Sequence, residues 1–221
     1  MSIRAMGLCK NYMVGGQRVT ALDGVSLEVE DGEYVTVVGA SGSGKTTLMN
    51  ILGCLDLPTS GSYYLDGEDV STLSDEELSE IRSVKIGFIF QSFNLIEGLT
   101  ALENVELPLL YRHVSKRRRR EIALDALESV SLSDRALHRP SEMSGGQQQR
   151  VAIARAIAAN PSIILADEPC GNLDSRSGRE VLEILADLNR SGKTIIMITH
   201  NEQTAKEAKR LVRISDGKIS V

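Results

Sequence analysis

The sequence predicts an α/β fold in three parts: a strand–helix core, a β-rich N-terminal part, and a helical lobe inserted into the core. Three observations predict it. Apolar runs rich in β-branched residues, Tyr34-Val35-Thr36-Val37-Val38, Ile163-Ile164-Leu165-Ala166 and Thr194-Ile195-Ile196-Met197-Ile198, alternate with helical stripes. Residues 1–38 carry strand patterning, clearest as period-two alternation in Val25-Ser26-Leu27-Glu28-Val29-Glu30, followed by a tight turn at Asp31-Gly32. Between residues 92 and 160 the strand signals stop and helical periodicity takes over.

The strand at 34–38 runs into Gly39-Ala40-Ser41-Gly42-Ser43-Gly44-Lys45-Thr46, which fits the pattern G-x-x-x-x-G-K-[ST]. After it, Leu48, Ile51, Leu52 and Leu55 form one apolar helical stripe. A glycine-rich turn between a strand and a helix is the context in which this pattern binds phosphate. Gly39, Gly42 and Gly44 let the backbone N–H groups turn inward, and the helix N-terminus adds about half a positive charge. Lys45 is placed to reach the β- and γ-phosphates, and the Thr46 hydroxyl to ligate Mg²⁺.

Further along, Pro58-Thr59-Ser60-Gly61 is a turn, Ser62–Leu65 a strand and Asp66-Gly67 a second tight turn. Ser74 with Glu77 makes a capping box that opens a helix. Ile86–Phe90 is a strand ending at Gln91. Leu102, Val105, Leu109 and Leu110 make an apolar stripe that Pro108 kinks or ends; Ile122, Ala123, Ala126, Leu127 and Val130 make another. The basic run Lys116–Arg120 opens that second helix against its dipole. It reads as a solvated face, or as a contact for phospholipid headgroups or an acidic partner. Ser144-Gly145-Gly146-Gln147 opens a helix that stops at Asn160-Pro161. Strands follow at 163–167, 194–199 and 211–214, with a helix near 178–190 and a last hairpin turn at Asp216-Gly217.

Composition sets bounds. Of 221 residues, 42% are hydrophobic and 25% charged, ordinary for a globular protein. The net charge of −5 argues against nucleic acid as a partner. No apolar run approaches the roughly 18 residues of a membrane span, and the N-terminus lacks the apolar core of a signal peptide. Cys9, Cys54 and Cys170 are scattered, which suits reduced thiols in the cytosol rather than a disulfide framework.

The apolar strand 163–167 ends in two acids, Asp167 and Glu168, a costly arrangement unless a cation waits there. Asp167 fits a Mg²⁺ partner and Glu168 a general base for water; alone, the pair reads equally as a cap on the turn at Pro169. His200 follows the strand 194–199, as a packing or capping residue or as a donor to a γ-phosphate. Gln91 is another strand-tip amide, able to bridge metal and water. All these residues stand at carboxyl ends of strands, where α/β sheets bind ligands.

In this order the motifs resemble the ATP-binding cassette (ABC) ATPases: the phosphate loop, Gln91, Ser144-Gly145-Gly146-Gln147, Asp167-Glu168, Asn172-Leu173-Asp174 and His200. The resemblance covers essentially the whole chain. Gly87–Gln91 and Ala101–Leu109 are similar to the lipoprotein-releasing and macrolide-export group of bacterial ABC ATPases. The resemblance implies a P-loop NTPase core (1–91 and 161–221) with an antiparallel β subdomain, and an inserted α-helical subdomain (92–160) carrying the signature, all within one domain, 1–221. It implies an ATP hydrolase using ATP and Mg²⁺, with Glu168, His200, Gln91 and Lys45 catalytic and Thr46, Gln91 and Asp167 at the metal. Tyr12, by packing alone an ordinary core or surface aromatic, becomes an adenine-stacking residue. Thr47, the signature residues 144–147 and Asp174 join the phosphate loop in holding nucleotide. A second copy of the chain, closing head to tail on ATP, and an integral membrane permease subunit gripped by Gln91, Phe93, Leu95 and Leu99 are the implied partners. The implied place is the cytoplasmic face of the membrane, with export or lipoprotein release as the work. The alternative is a membrane complex driven for signalling or cell division without solute transport. Soluble DNA-repair cassettes carry a long coiled coil between phosphate loop and signature, and translation-type proteins carry two cassettes; neither fits this chain. Two departures stand out: Met143 where the signature usually begins with Leu, a volume-conserving swap, and Cys170 where Thr is usual.

Overall fold

In the computed structural model, which describes residues 3–206 and 208–220, ten strands form two sheets. The first sheet is antiparallel, in the order β2-β1-β4-β5, from β1 (Ile3–Val14), β2 (Gln17–Val29), β4 (Ser60–Leu65) and β5 (Glu68–Asp69). The second has the order β10-β9-β3-β8-β7-β6, from β3 (Tyr34–Val38), β6 (Ile86–Ile89), β7 (Ile163–Asp167), β8 (Thr194–Thr199), β9 (Arg210–Ser215) and β10 (Lys218–Ser220). Its strands run parallel except β10, which returns antiparallel from the turn at Asp216-Gly217.

The parallel strands are covered on both faces, which explains their unbroken apolar runs: every residue of β3 and β8 is buried. Alternate residues serve different cores. Val35, Val37, Ile163, Leu165, Ile196 and Ile198 face the antiparallel sheet and α1 (Lys45–Leu52). Tyr34, Ile164, Ala166, Ile195 and Met197 face the side of α3 (Ala101–Tyr111), α4 (Lys116–Ser129), α5 (Gly145–Ala158) and α6 (Ser175–Arg190). The chain also forms α2 (Asp75–Lys85) and the single turn α7 (Glu202–Ala205).

Helix starts follow their caps. Ser74–Glu77, Thr100–Glu103 and Ser144–Gln147 each make both bonds of a capping box. Three sequence expectations shift. Helix α1 ends at Leu52, because Cys54 turns into the left-handed region (φ 55°), so Leu55 leaves the apolar stripe and is half exposed. Pro108 sits inside α3, which continues to Tyr111, and Leu110 faces outward rather than into the core. Helix α6 starts at Asp174's cap, three residues before the expected 178. The basic run is partly answered locally: Arg117 and Arg118 both reach Glu121 (3.2 and 3.3 Å), and Arg119 pairs with Glu106 (3.5 Å).

Helix α5 lies close on β6 at Gly87. A Cβ there would stand 2.6 Å from the Ala156 carbonyl oxygen, a backbone atom that cannot swing aside. Gly87→Ala is therefore expected to destabilise the fold by about 1–3 kcal/mol. Urea unfolding measures it; an unchanged midpoint would show that α5 and β6 can separate freely.

Candidate nucleotide site

The loop from β3 to α1 is held from three sides. A Cβ on Gly39 would lie 2.3 Å from the Ile214 carbonyl oxygen, and one on Gly44 would lie 2.5 Å from that of Ala21. Gly44 also sits at φ 102°, a conformation open to glycine and strained for other residues. The Gly217 N–H donates to the Ser43 carbonyl (3.0 Å), while the Gly217 carbonyl accepts from Asp23 N–H (2.9 Å). The C-terminal hairpin turn thus clamps the loop to the antiparallel sheet. Lys45 is nearly buried, and its ammonium donates to the carbonyls of Gly39 (2.8 Å) and Ala40 (2.7 Å). An arriving phosphate would draw that ammonium from two neutral carbonyls to a full negative charge.

A cavity of about 400 Å³ opens over this loop. Ser41, Gly42, Gly44, Lys45, Thr46, Thr47, Gln91, Asp167, Glu168 and His200 line it, together with Val19, Thr20 and Ala21 of β2. The sequence-predicted phosphate loop and strand-tip residues therefore converge on one space. The parallel register does this: Ile89 pairs with Ala166, Asp167 with Ile198 and Val38 with Thr199, so β6, β7, β8 and β3 end at one level.

Glu168 is the most constrained group there. Its backbone is left-handed (φ 46°), and its N–H donates to the Ile198 carbonyl at 2.9 Å. One carboxylate oxygen accepts from the Thr199 hydroxyl (2.9 Å); the other accepts from His200 N–H (2.8 Å) and lies 2.6 Å from His200 Nδ1. Against an ionised carboxylate, which only accepts, Nδ1 would be the donor of that contact. Asp167 has its pKa raised, first by burial and then by the neighbouring Glu168 charge, with Lys45 opposing. Gln91 and Asn172 bond reciprocally, Nε2 to Oδ1 at 3.2 Å and Nδ2 to the Gln91 carbonyl at 3.1 Å.

The donor set suits a magnesium ion: the Thr46 hydroxyl, the Gln91 amide and the Asp167 carboxylate share the cavity, and the two adjacent acids favour a cation. Mg²⁺ takes oxygen ligands, often one or two carboxylates plus phosphates and water.

Other predicted residues lie elsewhere. The Tyr12 hydroxyl donates to Asp56 (2.9 Å), and its ring sits 5.1 Å from the Lys10 ammonium; it is not among the residues lining the cavity. Ser144 caps α5, and Gly146 packs against Ser177. Asp174 caps α6, accepting from the N–H groups of Arg176 and Ser177, and lines a different cavity with Cys170. The signature and Asp174 are not among the residues lining the Lys45 cavity of their own chain. The Cys170 thiol donates to the Gly178 carbonyl (3.4 Å), and burial, then the Glu168 charge, pushes it up to about 11. The sequence reasoning missed Thr199 as the anchor of Glu168. The available signal was a hydroxyl at the last position of a strand that is apolar from Ile195 to Ile198.

Comparison with known proteins agrees with this geometry. The ABC transporter family model matches residues 22–171. The chain belongs to the ABC transporter family. An uncharacterized ABC transporter ATP-binding protein of Thermotoga maritima is 54% identical over 95% of this chain and 90% of its own length. The macrolide export ATP-binding/permease protein MacB of Brucella melitensis is 52% identical over 98% of this chain, which spans 34% of that longer protein. The dimeric, post-hydrolysis structure of the ATP-binding cassette MJ0796 with ADP and Pi superposes with a TM-score of 0.92, at 46% identity, over 99% of this chain and 97% of that one. The ABC ATPase fold is thus established, and with it nucleotide binding and ATP hydrolysis.

Gly39→Ala should close the loop against Ile214. ATP, by binding the folded state, should raise the melting temperature of the native chain by mass action. The variant is expected to lose that rise; an undiminished rise would mean the loop can yield.

Proposed function

We propose that this chain is the ATP-hydrolysing subunit of a bacterial transporter, closing head to tail with a second copy on Mg·ATP and driving a separate membrane subunit for export. The observation that carries the reading is Glu168: a carboxylate at the cavity edge, held by Thr199 and His200, in position to take a proton from an attacking water. Lys45 and the loop N–H groups would bind the phosphates, while Thr46, Gln91 and Asp167 would hold the metal. The ion, when bound, would neutralise charge on the phosphates. His200, with Nδ1 beside the Glu168 carboxylate, would leave Nε2 free to meet the γ-phosphate. Tyr12 would swing from Asp56 to stack on adenine.

Charge favours a second copy. Mg·ATP carries about −2, and Lys45 with its helix terminus supplies about +1.5. The signature residues Ser144, Gly145, Gly146 and Gln147 stand at the positive end of a helix and do not line the Lys45 cavity of their own chain. Placed on the partner's nucleotide, with Asp174 nearby, that helix end would add positive charge to the site. In this reading 92–160 is the lobe that carries the signature to the other copy.

The surface best suited to the membrane partner is a groove of about 850 Å³ between α2 and the end of α3. Leu55, Val84, Phe88, Pro108 and Tyr111 line it, and Leu55, Val84 and Tyr111 are exposed. Phe93, Leu95 and Leu99 are half-buried, and Leu95 packs against the α3–α6 core. A short cytosolic helix of a permease fits the groove better than it fits those three. The longer MacB relatives, named as ATP-binding/permease proteins, support a membrane partner, and their name supports export. The chain then works peripherally on the cytoplasmic face of the membrane.

Glu168→Gln should bind Mg·ATP, hydrolyse it at least about a hundredfold more slowly, and elute as a dimer in gel filtration. A monomer at micromolar concentration would sink the head-to-tail reading. Separately, the tagged chain, solubilised from its native membranes with a non-hydrolysable ATP analogue, should bring down an integral membrane protein, and bring down less of it with Leu55→Glu. Recovery of the chain alone would sink the transporter reading.

A further inference from the structure

Gln149, on the signature helix α5, is fully buried. Its side-chain amide donates to two backbone carbonyls, Pro169 at 2.8 Å and Phe90 at 3.3 Å. Pro169 follows Glu168 and Phe90 precedes Gln91, so one amide spans the ends of β7 and β6. Both groups in reach are acceptors, which settles which side of the amide faces them. The other side, Oε1, is buried with no partner among the described residues.

Leaving a buried carbonyl unpaired is unfavourable, and a methionine of similar volume would fill the space without it. Packing therefore does not account for a glutamine here; its two donated bonds do. The same helix grips the Gln91 loop from the far side. The Arg155 guanidinium donates to the carbonyls of Phe93 (2.8 Å) and Asn94 (2.5 Å), both in left-handed conformations (φ 60° and 51°). Across the gap, Gly171 packs so close to Gln91 that a Cβ would stand 2.7 Å from its Nε2.

We infer that Gln149 is a positioning residue for ATP hydrolysis, setting the Gln91 and Glu168 segments at a fixed separation and tying both to the helix that begins at the signature. The inference rests on the roles proposed above for Gln91 and Glu168. It acts through those residues, since Gln149 itself does not line the nucleotide cavity. A displacement of the signature helix would move both segments together.

Steady-state ATPase kinetics of Gln149→Met and Gln149→Asn test this beside the native chain. The methionine removes both bonds and keeps the volume. The asparagine keeps a donor but is one methylene short, and it remains a polar variant should the methionine fail to fold. The expected result is a fall in kcat of about tenfold or more for methionine, the loss of two net hydrogen bonds, and a smaller fall for asparagine. KM for ATP and the ATP-induced rise in melting temperature should stay within about threefold and a few degrees of the native values. A native kcat in either folded variant would overturn the inference. So would a joint loss of kcat, ATP affinity and stability in both, which marks a packing residue. Glu168→Gln in the same assay separates the two levels: full activity there removes the proposed catalytic role, whereas an inactive Glu168→Gln beside a fully active Gln149→Met removes only the role of Gln149.

Discussion

The site depends on the register of β7 against β8. Asp167 pairs with Ile198, and the next N–H, that of Glu168, still bonds the Ile198 carbonyl. That places the Glu168 carboxylate against Thr199 and His200. A slip of one residue would exchange the two faces of the strand, sending Leu165 to the helical side and Ala166 to the other. It would also carry Glu168 away from both anchors. The two cores resist this, because alternate apolar residues of β7 and β8 are committed to opposite sides and all of these are nearly fully buried. Hydrophobic patterning thus fixes the position of a polar group that contributes nothing to either core.

The phosphate loop is constrained from outside itself. Its shape is enforced by Ile214, Ala21 and Gly217, which belong to β9, β2 and the last hairpin turn. A loop that must present its N–H groups at a set curvature cannot rely on its own glycines, whose freedom is as large in the unfolded chain. The close contacts remove the other conformations. The nearly buried Lys45 ammonium is satisfied by two loop carbonyls, so its charge is not buried without partners.

Much of this was legible in the residues. The phosphate loop, its flanking strand and helix, the capping box at Ser74, the helix opened at Ser144, and the parallel strands with polar tips all follow from local rules, because each concerns neighbours in sequence. The boundaries that shifted did so for tertiary reasons. Leu55 lies beyond a left-handed turn at Cys54, and Leu110 fell off a stripe whose neighbours were covered by α4 and α5. Thr199 as an anchor and Gln149 as a tie were not legible. Their partners, Glu168 for one and the Phe90 and Pro169 carbonyls for the other, lie 20 or more residues away.

By itself the sequence determined the chemistry available: a phosphate-binding turn, two acids, an amide and a histidine, each at the end of an apolar run. It also determined the family, through the order of those motifs. Only the tertiary structure decided that the strand ends stop at one level, that Glu168 is gripped by Thr199 and His200, and that the signature stands away from the Lys45 cavity of its own chain. The physical reason is that periodicity reports which face of an element is buried. The distance between two elements is set by what packs between them, and here that is decided by contacts such as Gly87 on Ala156 and Gly39 on Ile214.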